Sequence, residues 1–185
     1  MAIQLEKRLL NADEYQLMSE AGILKPSDKV ELINGEIIKM SPIGSRHAAV
    51  VDRINRLLHN LTDEQSIVRV QAPIVAGDMS QPEPDISILK SRDDFYATQH
   101  PRGADIYLVI EVTDTTYDFD ESVKSRIYAE AGIPEFWLVD LRNDLMEIKS
   151  QPENGIYKQT QLLVAGDAYQ FQLLGFQITI NDLIG

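Results

Sequence analysis

Residues 107–112, YLVIEV, set five apolar residues of strand type around one carboxylate, Glu111. Alternation along an extended chain puts Tyr107, Val109 and Glu111 on one face and Leu108, Ile110 and Val112 on the other. Both faces are apolar, the pattern of a strand at the centre of a covered sheet. The chain must therefore supply further strands beside it and elements that cover it. Glutamate is almost never buried in such a place unless its charge is compensated, so Glu111 requires a partner.

The flanking segments supply the rest of a layered fold. Residues 11–21, NADEYQLMSEA, read as a short helix capped by Asn11. In KVELINGEIIKM, Asn34-Gly35 suits a two-residue type I′ turn. That turn pairs Ile33 with Glu36 and Glu31 with Ile38, so both glutamates share a face with two isoleucines. SPIGSRHAAVVDRINRLLHNLTDEQ is a helix capped at Ser45, with Val50, Ile54, Leu57, Leu58 and Leu61 as its buried stripe. SIVRVQAPIVA and PEPDISIL are strands, the second with its entry fixed by Pro82 and Pro84. The connection KSRDDFYATQHPRGAD then leads to residues 107–112. DFDESVKSRIYAEAG is a helix ended by Gly132 as a left-handed cap, with Pro134 beyond it. EFWLVDL is the next strand, and LMEIKS, GIYKQTQLLV and AYQFQL make a β-rich tail. Helix, three strands, helix, strand is the order of an α/β sandwich, an α+β arrangement of helices on a mixed sheet. With 185 residues, residues 1–185 are expected to form one domain.

Cysteine is absent, which excludes disulfides and thiolate metal sites. The start, MAIQLEKRLLNADEYQ, is charged and lacks the apolar run of a signal peptide or membrane span. A cytoplasmic location without a membrane partner is the expectation. Seventeen basic against 29 acidic residues give a net charge of −12, which works against gripping nucleic acid by neutralising phosphates. Local patches and bound cations outweigh the sum, however, and solubility accounts for the same bias.

If residues 85–89 and 107–112 pair as antiparallel neighbours, the start of the first strand lies beside the end of the second, and Asp85 comes next to Glu111. Two carboxylates at one sheet edge repel unless a cation sits between them. A hard divalent ion with oxygen ligands, Mg²⁺ or Mn²⁺, answers that demand, and the Val112 carbonyl offers another oxygen. On the following helix, at about 100° per residue, Asp120 falls within the stripe of Phe119, Val123, Ile127 and Ala131, and Lys124 at its border. Lys124 can reach the carboxylate pair from there. His47 lies in the first turn of its helix, about 30° from the centre of the apolar stripe, and is a candidate for handling water or supporting the site. His59 sits on a polar side and His100 in a loop. Glu31, Glu36 and Asp120 are further candidates. Arg46, Arg53 and Arg56 line one helix flank that could meet phosphates, although a solvated face explains them more simply.

PEPD, then IEV, then DESVKSRIYAEAGIPEFWLVD resemble the PD-(D/E)XK restriction-endonuclease-like superfamily, and more narrowly its Uma-type branch. ELINGEI, SPIGSRH and the β-rich tail fit that branch too, so the likeness spans nearly the whole chain. It implies an αβββαβ core, metal binding by Asp85 and Glu111, and a lysine that orients the attacking water. The superfamily pattern expects that lysine two residues after the acid, where this sequence has Thr113. The branch moves it to the next helix, which makes Lys124 the replacement. The implied function is a divalent-metal-dependent nuclease cleaving DNA, in keeping with a homodimer that makes two cuts. The alternatives are a nuclease-fold binding or assembly module without activity, and a metal-dependent hydrolase of small phosphate esters.

Overall fold

The computed structural model describes residues 6–184. Residues 1–5, which begin the charged start of the chain, and residue 185 lie outside the described residues. Helix α1 (Ala12–Glu20) opens on a reciprocal cap: the Asn11 side chain accepts the Glu14 N–H, and the Glu14 carboxylate accepts the Asn11 N–H. Strands β1 (Val30–Ile33) and β2 (Glu36–Lys39) form the expected hairpin, with Ile33 opposite Glu36 and Glu31 opposite Ile38. Asn34 and Gly35 both have positive φ, 49° and 80°, as a type I′ turn requires. A side chain at Gly35 would also stand 2.6 Å from the Leu9 Cβ.

Helix α2 (Ser45–Leu61) buries Val50, Val51, Ile54 and Leu58. Its N-cap is Gly44, so Ser45, expected as the cap, is instead the first helical residue. The main sheet runs in the order β3 (Ser66–Val70), β4 (Ile86–Lys90), β5 (Ile106–Thr113), β6 (Glu135–Asp140), β7 (Leu145–Glu153), β8 (Ile156–Leu163). Its pairs are antiparallel except β5 with β6, which are parallel and joined by the helical crossover of residues 117–130. Strand β5 thus has neighbours on both sides, as its apolar sequence demands. The strand expected over SIVRVQAPIVA stops at Val70, because Gln71 turns left-handed (φ 46°) and Pro73 follows. Beyond the sheet, β9 (Ala168–Phe171) and β10 (Phe176–Thr179) form a second hairpin, followed by α5 (Ile180–Ile184).

Two apolar layers sandwich the sheet. On one face α2, β9, β10 and α5 bury Ile54, Leu58, Phe171 and Leu183 against Ile110, Val112 and Trp137. On the other, Ile127, Tyr128 and Ile133 pack on Val109, Phe136 and Leu138. The simple alternation expected for residues 107–112 holds from Leu108 onward. Before it, Leu108 faces Ile88 while Ile106 faces Leu89, which leaves Tyr107 as the extra residue of a bulge. Tyr107 accordingly packs in the α2 layer, not beside Val109.

The helix expected over DFDESVKSRIYAEAG is built in three parts. A short α3 (Tyr117–Phe119) runs into a π-helical turn, Asp120–Lys124, and then α4 (Ser125–Glu130). Gly132 closes it with φ 73°.

Candidate active site

Asp85 immediately precedes β4, where Ile86 pairs with Ile110. Continued by one residue, that register sets Asp85 opposite Glu111 and, by one more, Pro84 opposite Val112. The Thr113 carbonyl accepts the Leu141 N–H on the β6 side, so the neighbouring Val112 turns its backbone toward Asp85. Its N–H donates to Asp85 Oδ2 at 2.9 Å. Its carbonyl would accept the next rung of the ladder, but Pro84 has no N–H to give. The proline of PEPD thereby leaves an oxygen free of the ladder beside the aspartate. Asp85 Oδ2 also accepts from His47 Nε2 at 3.0 Å, and Oδ1 from Gln71 Nε2 at 3.3 Å. The Asp85 hydrogen bond raises the His47 imidazole above its ordinary value against the opposing effect of burial, and the Val112 carbonyl adds to the rise.

Glu111 is 4 % exposed. Its Oε1 accepts from Lys124 Nζ at 3.0 Å and from the Tyr128 hydroxyl at 2.6 Å. Among the described residues, no hydrogen bond reaches its Oε2. Burial pushes the Glu111 carboxyl up to about 8, with Lys124 opposing and the Asp120 and Asp85 charges adding. Burial alone would discharge Lys124, but Glu111, Glu31 and Asp120 together outweigh it and hold the ammonium charged. Besides Glu111, Lys124 Nζ stands 3.4 Å from Glu31 Oε2 and 3.7 Å from Asp120 Oδ1.

The π-helical turn accounts for the helix side of this cluster. Here the Ser125 N–H bonds the Asp120 carbonyl, five residues back. The widened turn keeps both Asp120 and Lys124 buried against the sheet, and Tyr128 follows them on the same side. Thr113, at the position where the superfamily pattern expects lysine, has its hydroxyl 3.2 Å from that of Thr116, which donates to Asp120 Oδ2 at 2.6 Å. Burial raises the Asp120 carboxyl, and these hydroxyls and Lys124 oppose the rise.

Asp85, Glu111, Lys124 and His47 therefore meet at one end of β4 and β5. Asp120 and Glu31 join them. Glu36 does not, since it pairs with Lys7 at 2.7 Å on an exposed edge. Two groups escaped the sequence reading. Tyr128 is signalled by its four-residue spacing from Lys124, itself four residues from Asp120. Glu83 lies inside PEPD, and its N–H donates to Glu31 Oε2 at 3.2 Å. Burial, then Glu31, raises the Glu83 carboxyl. Of the α2 arginines, Arg46 and Arg53 bond the carbonyls of Leu141 and Ile184, which fixes the helix to later elements. His59 donates to the Asn55 carbonyl within its own helix. His100 lines a separate cleft of about 290 Å³ between α1 and residues 96–102.

The donor set fits a hard cation. Asp85, Glu111 and the Val112 carbonyl are all oxygen donors, and five carboxylates surround the site if Glu31, Glu83 and Asp120 are counted with them. Among the described residues no three His, Asp or Glu side chains stand together as a closed ligand set. Mg²⁺ does not need one, because it is commonly held by one or two carboxylates plus water and substrate phosphates.

The model of a family described as "Uma2: Putative restriction endonuclease" matches residues 12–181. The 1.96 Å crystal structure of a "putative nuclease belonging to DUF820" from Anabaena variabilis ATCC 29413 superposes with a TM-score of 0.68. The match covers 95% of this chain and 97% of that one at 14% identity, a likeness that gives the fold as restriction-endonuclease-like. No curated protein matches the chain.

Proposed function

We propose, because the chain belongs to the Uma2 family described as putative restriction endonucleases, that it is a divalent-metal-dependent nuclease hydrolysing phosphodiester bonds in DNA. The observation that carries this reading is the register that sets Asp85 opposite Glu111, with the Lys124 ammonium 3.0 Å from Glu111. Asp85, Glu111 and the Val112 carbonyl would hold Mg²⁺ or Mn²⁺. A cation bound there supplies a more acidic water and offsets charge on the phosphate. Lys124, kept protonated by its carboxylates, donates hydrogen bonds to the attacking water or to a non-bridging phosphate oxygen. It does so from the helix, in the space that a lysine at position 113 would otherwise fill. His47 and the Val112 N–H hold the Asp85 carboxylate in one orientation, and Tyr128 does the same for Glu111. Two such sites in a homodimer would cut both strands of a duplex.

A second reading, hydrolysis of small phosphate esters, is favoured by the binding of Arg46 and Arg53 to carbonyls, which reduces the basic surface open to a polyanion. Cleavage of supercoiled, nicked and single-stranded DNA, and of bis(p-nitrophenyl) phosphate, should be measured with Mg²⁺ and Mn²⁺. The nuclease reading expects metal-dependent DNA cleavage that Asp85→Ala abolishes and Lys124→Ala lowers by about a hundredfold or more. Cleavage of the small ester alone supports the second reading. Absence of both, in a folded protein, refutes the enzyme and leaves a binding or assembly module.

A further inference from the structure

The ion pairing of Lys124 leaves an acceptor beyond those the reaction uses. Its ammonium rests between Glu111 Oε1 at 3.0 Å, Glu31 Oε2 at 3.4 Å and Asp120 Oδ1 at 3.7 Å. These acceptors come from three elements: β5, the N-terminal hairpin and the π-helical turn. They differ in how firmly they are fixed. Glu31 is 4 % exposed, and the same Oε2 that faces Lys124 accepts the Glu83 N–H at 3.2 Å. Its strand is tied to the PEPD approach, since Leu32 and Gln81 exchange backbone hydrogen bonds. Glu31 thus holds on one oxygen both the backbone leading into Asp85 and the ammonium of Lys124. That oxygen is set by the main chain, whereas the lysine stem is flexible.

Glu111 in contrast has two demands on it. In the reading above, its carboxylate must serve a cation beside Asp85, while its Oε1 already accepts from Lys124 in the absence of that cation. Two cations on one small carboxylate repel. A second anchored carboxylate stands 3.4 Å from the ammonium.

We infer that Glu31 is a positioning residue that takes over Lys124 from Glu111 when a divalent cation loads, so that the lysine stays charged and close to the cleft without occupying the metal's ligand. The inference rests on the metal-dependent reading of the site and assigns the hairpin a part in it. Glu31 acts through the lysine and does not itself touch the cation.

A double-mutant cycle on Mn²⁺ affinity, read by calorimetry on the full chain, tests this. Glu31→Gln is expected to weaken Mn²⁺ binding by about tenfold, because the lysine then stays on Glu111. In a Lys124→Met background the same change should have little effect, since no ammonium needs a second acceptor. An equal loss in both backgrounds would mean that Glu31 acts on the metal directly, and would overturn the inference. No effect of Glu31→Gln in either background overturns it too. If Lys124→Met does not fold, Lys124→Arg replaces it: a guanidinium that spans Glu111 and Glu31 cannot be handed over. It should weaken Mn²⁺ binding by itself, with Glu31→Gln adding little. Wild type that binds no Mn²⁺ refutes the metal-dependent reading and this inference together, whereas binding that is lost in Asp85→Ala but uncoupled between Glu31 and Lys124 refutes the inference alone.

Discussion

One oxygen of Glu111 receives both Tyr128 and Lys124, so removing either donor tests how the buried carboxyl is held. Tyr128→Phe deletes the 2.6 Å hydrogen bond and leaves the ring, with its edge contact to Phe136, in place. The change should destabilise the fold by about 1–3 kcal/mol, the range for a buried acceptor that loses a donor, measured by urea denaturation. No change would mean that Lys124 alone satisfies Glu111. The protonation of this carboxyl also gives metal-free stability a direction. Its value in the folded protein, about 8, lies above the ordinary 4.5. The unfolded chain therefore gives up this proton at a lower pH than the folded one does. The stability it contributes is fully present below the unfolded value and is lost as pH rises through about 8. With chelator present, wild-type stability should fall relative to Glu111→Gln between about pH 5 and pH 8. A relative rise over that window would reverse the assignment, with Lys124 then winning over burial.

At the level of elements, the π-helical turn is what brings the lysine to a site whose strand carries Thr113 instead. Such turns cost helix regularity and concentrate at functional positions. Deleting Ser122, an exposed residue of the turn, would restore ordinary α spacing and rotate Asp120 away from Lys124, while Ile127 and Tyr128 keep α4 on the sheet. The expected loss of stability is about 1–3 kcal/mol, with metal-dependent cleavage abolished; a deletion variant that cleaves normally would show that the turn is dispensable. No feature of DESVK reveals this turn, because its residues suit the far commoner α-helix and a single π turn leaves no signature of its own in the sequence. The hairpin was legible for the opposite reason: two positive φ values at Asn34-Gly35 admit few residues, and the turn then dictates every pair behind it. The pairing of Asp85 with Glu111 was legible too, since a strand that is apolar on both faces needs neighbours, and consecutive strands supply them. The bulge at Tyr107 was not, as an apolar residue satisfies either face. Glu31 could be assigned to a face of its hairpin, but its approach to Lys124 joins segments that no local pattern connects. The strand AYQF of the last hairpin was legible, but its partner FQIT and α5 were not, for FQIT and INDLI are short and pack Phe176, Ile178 and Leu183 on the α2 layer.

For the molecule as a whole, the net charge of −12 has a local expression in carboxylates gathered around Lys124. Among the described residues no helix is long and apolar enough to cross a membrane, and the acidic cluster lies where the N-terminal hairpin, the sheet and the crossover helix converge. Three parts of the chain therefore share the electrostatic cost of that cluster, and a cation that relieves it should stabilise all of them at once. A ligand that binds the folded state alone adds about 2.7 kcal/mol at a hundredfold excess over its Kd. For a chain of this size each kcal/mol corresponds to about 2–4 °C, so saturating Mn²⁺ should raise the melting temperature by roughly 5–10 °C. Asp85→Asn keeps the shape of the side chain and the His47 and Val112 contacts within reach, yet removes the charge that the cation needs. It should abolish the shift and by itself leave the metal-free melting temperature nearly unchanged, because one repulsion with Glu111 is relieved as one acceptor is weakened. A shift that survives Asp85→Asn would mean that the ion binds elsewhere on the acidic surface, and an absent shift in the wild type would mean that the carboxylates are balanced by Lys124 and protonation alone.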